Sequence, residues 1–246
     1  MGNKSLSWKK LILIGDSNTQ FGFGNGVDGN WVSSLASHLQ RRCDVIDRGF
    51  AGYNTRYLKD LLPRVLSEYQ VDSICGVIVL LGTNDSGNSE SIHVPLDEYK
   101  TNLRKIIEII LNYGVKKENI ILITPPKIDH QKWSDFLARM QPGQVAPHHD
   151  NLVKDYANAC LGLSKEMGLK CVDLNGAMSK SADYSKYLYD GLHLSPEGGK
   201  LFFENLKPII DDMFIKNDNL KTNFPIWTDL NNRADISNIP QFSVKK

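Results

Sequence analysis

Short apolar runs alternate along the chain with segments in which apolar residues recur every three or four positions. The runs show little alternation of polar and apolar residues, which is typical of strands covered on both faces of a parallel sheet. We predict five such strands, at residues 11–14, 43–47, 75–81, 120–124 and 171–174. Because helical patterns fill the gaps, the predicted fold is a doubly wound, three-layer α/β/α sandwich around one five-stranded parallel sheet.

The helical segments carry recognisable start and stop signals. Helices are predicted around residues 31–39, 58–66, 103–111 and 152–167. Gly114 and Gly168 stand where the third and fourth of these should end, since glycine commonly follows the last helical residue. Ser195 and Pro196 begin a fifth helix, with serine as the N-cap and proline in the first turn.

The chain of 246 residues is predicted to form a single domain, residues 1–246, with a core at about residues 8–215 and a C-terminal tail at 216–246. An apolar island at residues 224–227 interrupts the polar tail and should pack back on the domain. The apolar surface around Trp227 also offers a contact for a homodimer.

The composition of the chain gives no support for nucleic acid, membrane or metal as a partner. The net charge is +1 and the basic residues are scattered, so nothing favours nucleic acid or an anionic membrane. No run approaches the ~20 apolar residues that span a bilayer, and the N-terminus lacks the pattern of a signal peptide. The four cysteines show no metal-ligand spacing and fit a reducing compartment. We therefore expect a cytoplasmic protein with neither a stable membrane anchor nor a metal.

Polar, glycine-rich motifs lie at the predicted strand ends. Three of them follow strands and one precedes the last helix: GDSN at 15–18, GFAGYNTR at 49–56, GTND at 82–85 and DGLH at 190–193. Ligands of doubly wound sheets bind beyond the carboxyl ends of the strands, so these motifs should meet at one edge of the sheet.

The motifs contain the residue types of nucleophilic catalysis. A serine hydroxyl needs a base, the base needs an orienting group, and the tetrahedral oxyanion needs fixed donors. Ser17 is the candidate nucleophile, and Asp190 stands three positions before His193, where its carboxylate can reach the imidazole Nδ1. The Gly52 backbone N–H and the Asn84 side-chain amide are the candidate oxyanion donors.

Plainer interpretations compete with these roles. A serine after a strand is equally well explained as a helix cap, and glycine and asparagine most often form turns. Asp16 and Asp85 lie beside the candidate residues and are expected to hold their loops through backbone hydrogen bonds, not to transfer protons.

In their order and spacing the motifs resemble the SGNH, or GDSL-like, hydrolase superfamily. The blocks RGFAGYNTR at 48–56, ILITPP at 121–126 and YANAC at 156–160 are similar, more closely, to the isoamyl acetate-hydrolysing esterase family. The resemblance covers about residues 11–227. It implies a flavodoxin-like fold, Ser17 as nucleophile, His193 as base and then acid, and Asp190 as its orienting group. It also implies an oxyanion hole of the Ser17 and Gly52 N–H groups with the Asn84 amide, and no metal or organic cofactor.

Three further residues are candidates for substrate binding. The position after the serine is usually Leu or Ile in that superfamily, so the polar Asn18 predicts a different substrate preference. Trp133 and Phe136 fall at helical spacing in the segment 127–149, which should overhang the pocket. Core packing and a lid or acyl-pocket wall both explain these two aromatic residues.

The resemblance implies a serine esterase that hydrolyses small, acetate-type carboxylic esters through an acyl-enzyme intermediate. Lysophospholipases, thioesterases, acyltransferases and sugar-acetyl esterases use the same apparatus, so they stay as alternatives. A non-enzymatic binding module is disfavoured, because it has no chemical need for Ser17, Gly52, Asn84, Asp190 and His193 together. The expected partner is a small-molecule ester.

Overall fold

A five-stranded, all-parallel sheet lies at the centre of the computed structural model, which describes residues 8–24, 29–216, 219–222 and 227–229. The strand order is β2-β1-β3-β4-β5, so the first strand of the chain is an inner strand. The strands are β1 (Lys9–Gly15), β2 (Cys43–Gly49), β3 (Ile74–Leu80), β4 (Ile120–Ile123) and β5 (Lys170–Val172). The sheet predicted from the apolar runs is confirmed.

Helices cover both faces of the sheet. Within the described ranges they are α1 (Ser17–Gln20), α2 (Trp31–His38), α3 (Thr55–Leu66), α4 (Leu96–Asn112), α5 (His130–Met140), α6 (Asp150–Met167), α7 (Leu174–Ser179) and α8 (Pro196–Ile210). Helices α2, α7 and α8 pack on one face, and α3, α4 and α6 pack on the other. This arrangement is the predicted three-layer α/β/α sandwich. Helix α6 begins and ends close to its predicted positions, and α8 begins where it was predicted to.

The residues of β1 divide between two hydrophobic clusters because successive side chains of a strand point to opposite faces. Leu11 and Leu13 pack in the cluster of α2 and α8, whereas Ile12 and Ile14 pack in the cluster of α3, α4 and α6. All four side chains are fully buried. Each contributes about 1.5–3 kcal/mol on burial, so the strand that leads to residue 17 is firmly fixed.

The fifth strand is shorter than predicted. Residues 171–174 were expected to be extended, but β5 ends at Val172 and Leu174 begins α7. The reason is Asp173, whose Oδ1 accepts the Gly176 N–H at 2.9 Å and caps the helix. β3 and β4 also end one residue before the predicted bounds at 81 and 124.

Most of the predicted tail, including residues 224–226 of the apolar island, lies outside the described residues. Trp227 is described and is 82% exposed, and its role in a homodimer stays a prediction. In the part of the chain that the structure covers, no helix has the length and apolar character needed to cross a membrane.

The contact between α2 and α8 tests the packing of the first face. Trp31 and Phe202 stack with ring centroids 4.4 Å apart, and both are fully buried. We expect Phe202→Ala to lower the free energy of unfolding by about 3–5 kcal/mol in urea denaturation, because it leaves a cavity. Phe203→Ala is the matched control and should cost much less, since Phe203 is half-buried. Equal losses in the two variants would contradict this packing.

Candidate active site

Three strand ends place the motif loops side by side. β1 lies between β2 and β3, and Gly15 at its end pairs with Gly49 on one side and Leu80 on the other. The Phe50 N–H donates to the Gly15 carbonyl at 2.9 Å, which continues the pairing into the loop. The loops that carry Ser17, Gly52 and Asn84 therefore start at the same edge of the sheet, as the doubly wound topology predicts.

Ser17 occupies the first turn of α1, but it is not the helix cap. The cap is Asp16, whose Oδ1 accepts the Asn18 N–H at 2.9 Å. The Ser17 hydroxyl instead lies 3.0 Å from His193 Nε2. The alternative in which Ser17 serves as the cap is therefore wrong.

His193 is held on its other side by Asp190. The Nδ1–Oδ2 distance is 2.6 Å, and Asp190 Oδ1 accepts the backbone N–H groups of Leu192 and His193 at 2.9 and 2.8 Å. Burial raises the pKa of Asp190, but these hydrogen bonds and the nearby imidazole outweigh it and lower the pKa below its ordinary value. An ionised Asp190 only accepts, so Nδ1 carries the proton and Nε2 is the acceptor that faces the Ser17 hydroxyl.

The predicted oxyanion donors lie on the two loops beside Ser17. Gly52 has a φ of +80°, a conformation that favours glycine, which explains the residue type there. The Asn84 amide donates from Nδ2 to the Tyr53 carbonyl at 2.9 Å and so ties its loop to that of Gly52. Because an amide nitrogen carries two hydrogens, a second donor remains on Asn84.

Asp16 and Asp85 have the loop-holding contacts expected of them. Asp85 accepts the Thr55 N–H at 3.0 Å and also the Thr55 hydroxyl, which joins the loop after β3 to the start of α3. Burial raises the pKa of Asp16 to about 6 and that of Asp85 to about 7. The hydrogen bonds to each carboxylate lower its pKa and offset only part of this increase.

Helix α5 packs over the candidate triad. The Asp129 N–H donates to the Gly191 carbonyl at 2.9 Å. A Cβ atom on Gly191 would lie only 2.3 Å from the backbone nitrogen of Trp133. Glycine is therefore required for this close approach. Trp133 is 9% exposed and meets the His193 ring edge-on, with the centroids 5.9 Å apart and the planes at 89°. Trp133 is thus both a packing residue and a wall beside the imidazole.

A small recess opens on the outer side of His193. Its volume is about 200 Å³, and its lining includes three aromatic residues. It is lined by Phe21, Asn30, Phe136, Tyr189, Asp190, His193 and Leu194. Phe136 was a sequence candidate, whereas Phe21 and Tyr189 were missed. Their only sequence signals are proximity to the motifs, with Phe21 one helical turn beyond Ser17 and Tyr189 directly before Asp190.

Asn18 does not line this recess. Its side chain is 2% exposed, and its Oδ1 accepts the backbone N–H of Leu194 at 3.1 Å. The amide turns inward to the loop of His193, and the contact of Asn18 with substrate stays a prediction.

The raised pKa of Asp85 predicts a pH-dependent contribution to stability. The folded state holds the proton more tightly than the unfolded state, so this contribution is full below pH 3.8 and is lost as the pH rises through about 7. We expect the free energy of unfolding of Asp85→Asn, relative to the parent, to increase between pH 4 and pH 8 in urea titrations. Asp97→Asn, at an exposed carboxylate, is the control and should show no such trend. A constant difference for Asp85→Asn would contradict the burial argument.

Comparison with known proteins shows the family of the chain. Residues 13–201 match the GDSL-like Lipase/Acylhydrolase family. The chain is 40% identical over 231 residues to a mouse protein named isoamyl acetate-hydrolyzing esterase 1 homolog, covering 92% of this chain and 90% of that one. Among solved structures, a lipase/acylhydrolase from Enterococcus faecalis aligns with a TM-score of 0.65 at 23% identity, covering 88% of this chain and 100% of that one.

A catalytic mutant of an acetylxylan esterase from Geobacillus stearothermophilus aligns with a TM-score of 0.63 at 22% identity, over 82% of this chain and 94% of that one. These two structures share the fold. The family match covers most of the chain, and the sequence relative is an esterase by name. The chain therefore belongs to the GDSL-like lipase/acylhydrolase family and is a carboxylic ester hydrolase.

Proposed function

We propose that the protein hydrolyses small, acetate-type carboxylic esters through an acyl-enzyme on Ser17. The observation that carries the proposal is the continuous chain of hydrogen bonds from Ser17 Oγ through His193 to Asp190, at 3.0 and 2.6 Å. A serine hydroxyl becomes a nucleophile when a positioned base removes its proton, and this chain supplies that base together with its orienting carboxylate.

The geometry supports a two-step reaction. His193 Nε2 takes the proton of Ser17 as Oγ attacks the ester carbonyl carbon, and the resulting oxyanion is met by the Ser17 and Gly52 N–H groups and the Asn84 amide. The imidazolium then gives the proton to the leaving alkoxy oxygen, so the alcohol departs and Ser17 carries the acyl group. Water attacks this ester in the same manner, and the free acid and serine are restored. Asp190 stays ionised throughout, in keeping with its lowered pKa.

The recess beside His193 supports a small apolar alcohol as the leaving group. Since His193 protonates the leaving oxygen, the alcohol substituent lies next to the imidazole, where Phe21, Phe136 and Tyr189 line the recess. Its volume of about 200 Å³ is below the roughly 300–1,000 Å³ of pockets for drug-sized ligands, so it suits a short alcohol substituent. The mouse relative's name, which specifies isoamyl acetate, agrees with an alcohol of this size.

A lysophospholipid is less well matched to the same recess. The described lining residues include no lysine or arginine, and Asp190 places a negative charge there. A phosphate-bearing leaving group would meet this charge without a compensating cation.

We also propose that the protein is located in the cytoplasm.

A second candidate, deacetylation of a sugar ester, is favoured by one exposed aromatic surface. Tyr53 follows Gly52 directly, is 37% exposed and stacks on Phe50 with the ring centroids 5.3 Å apart. A partly exposed aromatic ring next to Gly52 in sequence offers the apolar face of a sugar ring a surface to pack on. Acetylated sugars are therefore needed among the esters on which the activity of the protein is tested.

The proposed nucleophile predicts a large effect of one substitution. We expect Ser17→Ala to lower kcat for p-nitrophenyl acetate by a factor on the order of 10⁴ or more, as removal of triad members does in other hydrolases. Ser164→Ala is the matched control, because Ser164 is also buried and its hydroxyl donates to the Leu161 carbonyl within α6. Parental activity in Ser17→Ala, with the fold confirmed by circular dichroism, would overturn the proposal.

The alcohol recess predicts a change in selectivity. We expect Phe136→Ala to lower the ratio of kcat/KM for isoamyl acetate to that for ethyl acetate by roughly tenfold, since one apolar contact in a pocket is worth about 1–3 kcal/mol. Met140→Ala is the control on the same helix, where the side chain is mostly exposed. An unchanged ratio in Phe136→Ala would exclude this recess as the alcohol site.

A loss of activity in Tyr53→Ala that is confined to acetylated sugars would favour the second candidate function, deacetylation of a sugar ester.

A further inference from the structure

Two buried asparagines attach the His193 loop to the segment that carries Ser17. Asn18 Oδ1 accepts the Leu194 N–H at 3.1 Å, and Asn30 Nδ2 donates to the Leu194 carbonyl at 3.1 Å. The two amides therefore hold both polar backbone atoms of the residue that follows His193. The contacts join parts of the chain that are 176 and 164 residues apart in sequence.

The asparagines are themselves held by Trp31. The indole Nε1 donates to the Asn18 carbonyl at 2.9 Å, and the Trp31 backbone N–H donates to Asn30 Oδ1 at 2.7 Å. Trp31 is fully buried and stacks on Phe202 of α8. Leu194, Asn18, Trp31 and Asn30 thus form a closed ring of hydrogen bonds, which we call the asparagine clamp.

The clamp supplies a constraint that Asp190 cannot supply. Asp190 and His193 belong to one loop, so their mutual hydrogen bonds fix the ring orientation but move with that loop. The distance from Nε2 to the Ser17 hydroxyl depends on how the whole loop is attached to α1. Asn18 provides that attachment directly, because it is the neighbour of Ser17 and binds the neighbour of His193.

Only the oxygen of the Asn18 amide is used. Within the described residues, Nδ2 of Asn18 is buried without a hydrogen-bond partner, whereas Oδ1 accepts from Leu194. Leaving a buried amide nitrogen unpaired costs about 1–3 kcal/mol, so the position is suboptimal for stability alone. A leucine or isoleucine, the usual residue after the serine in the superfamily that the sequence resembles, cannot accept this bond.

We propose that Asn18 is a positioning residue, whose carboxamide oxygen sets His193 at working distance from Ser17, with Asn30 holding the opposite side of the same peptide. The proposal rests on the function of Ser17 and His193 proposed above. It makes the residue beside the nucleophile a determinant of turnover, and not of substrate choice.

Two substitutions of Asn18 distinguish the effect of its carboxamide oxygen from the effect of the rest of the side chain. Asn18→Leu keeps the approximate size and removes the acceptor, and we expect kcat for p-nitrophenyl acetate to fall roughly tenfold to a hundredfold, as displacements of about 1 Å cause. KM should stay within about twofold, since Asn18 does not line the recess. Asn18→Asp retains the accepting oxygen at Oδ1 and replaces the unpartnered nitrogen by a second oxygen. Because burial favours the neutral form of a carboxyl at this position, the variant should recover part of kcat.

Asn175→Leu is the matched control. Asn175 is a buried asparagine whose amide donates to the Pro125 carbonyl at 3.2 Å, and within the described residues no hydrogen bond joins it to Ser17, Asp190 or His193. We expect this variant to lose thermal stability comparably to Asn18→Leu while kcat stays near the parental value. Asn30→Ser supplies an independent arm, because serine can still cap α2 but cannot donate to Leu194, and its kcat should fall several-fold.

Parental kcat in a folded Asn18→Leu, or an equal loss in Asn18→Asp and Asn18→Leu, would overturn the clamp. If Asn18→Leu fails to fold, parental kcat in Asn30→Ser overturns it. These outcomes are distinct from failure of the proposed function, in which Ser17→Ala keeps its activity whatever the behaviour of the asparagine variants.

Discussion

The hydrogen bond between the Ser17 hydroxyl and His193 Nε2 joins two parts of the chain that are 176 residues apart. The surrounding structure holds these two atoms 3.0 Å apart. Ser17 follows an inner strand whose apolar side chains are buried on both faces, so its position is fixed by the core. His193 lies in a loop that α5 covers from outside and the asparagine clamp holds from inside. Each support is a packing or backbone contact, which explains why the site depends on nearly the whole domain.

Environment gives three buried carboxylates different protonation behaviour. Asp190 accepts two backbone N–H groups and faces His193, and its pKa is lowered despite burial. Asp16 and Asp85 accept fewer compensating bonds, and burial raises the pKa of each, to about 6 and about 7. The low pKa keeps Asp190 as the anion that the proposed mechanism requires beside the imidazole. Asp16 and Asp85 therefore add negative charge near the site only as the pH rises through about 6 and about 7, at some cost in stability.

The sheet could be predicted from sequence because strands buried on both faces leave uninterrupted apolar runs, as in Ile120–Ile123. Ser17 could be selected because its motif follows a strand, where the topology brings loops together. Asp190 and His193 could be selected because they stand three positions apart in one turn before the last helix. The contact of Asn18 with Leu194 could not be predicted, since sequence gives the polarity of Asn18 but not the direction of its amide. Phe21 and Tyr189 were missed for a related reason: their aromatic rings meet His193 or Phe136 only after distant loops converge.

The central claim is that Ser17 is the residue that becomes acylated. The most direct measurement treats the protein with a fluorophosphonate, digests it and locates the adduct by peptide mass mapping. The account predicts one adduct per chain, on Ser17, appearing in step with loss of esterase activity. An adduct on a different residue, or full inactivation with Ser17 unmodified, would contradict it.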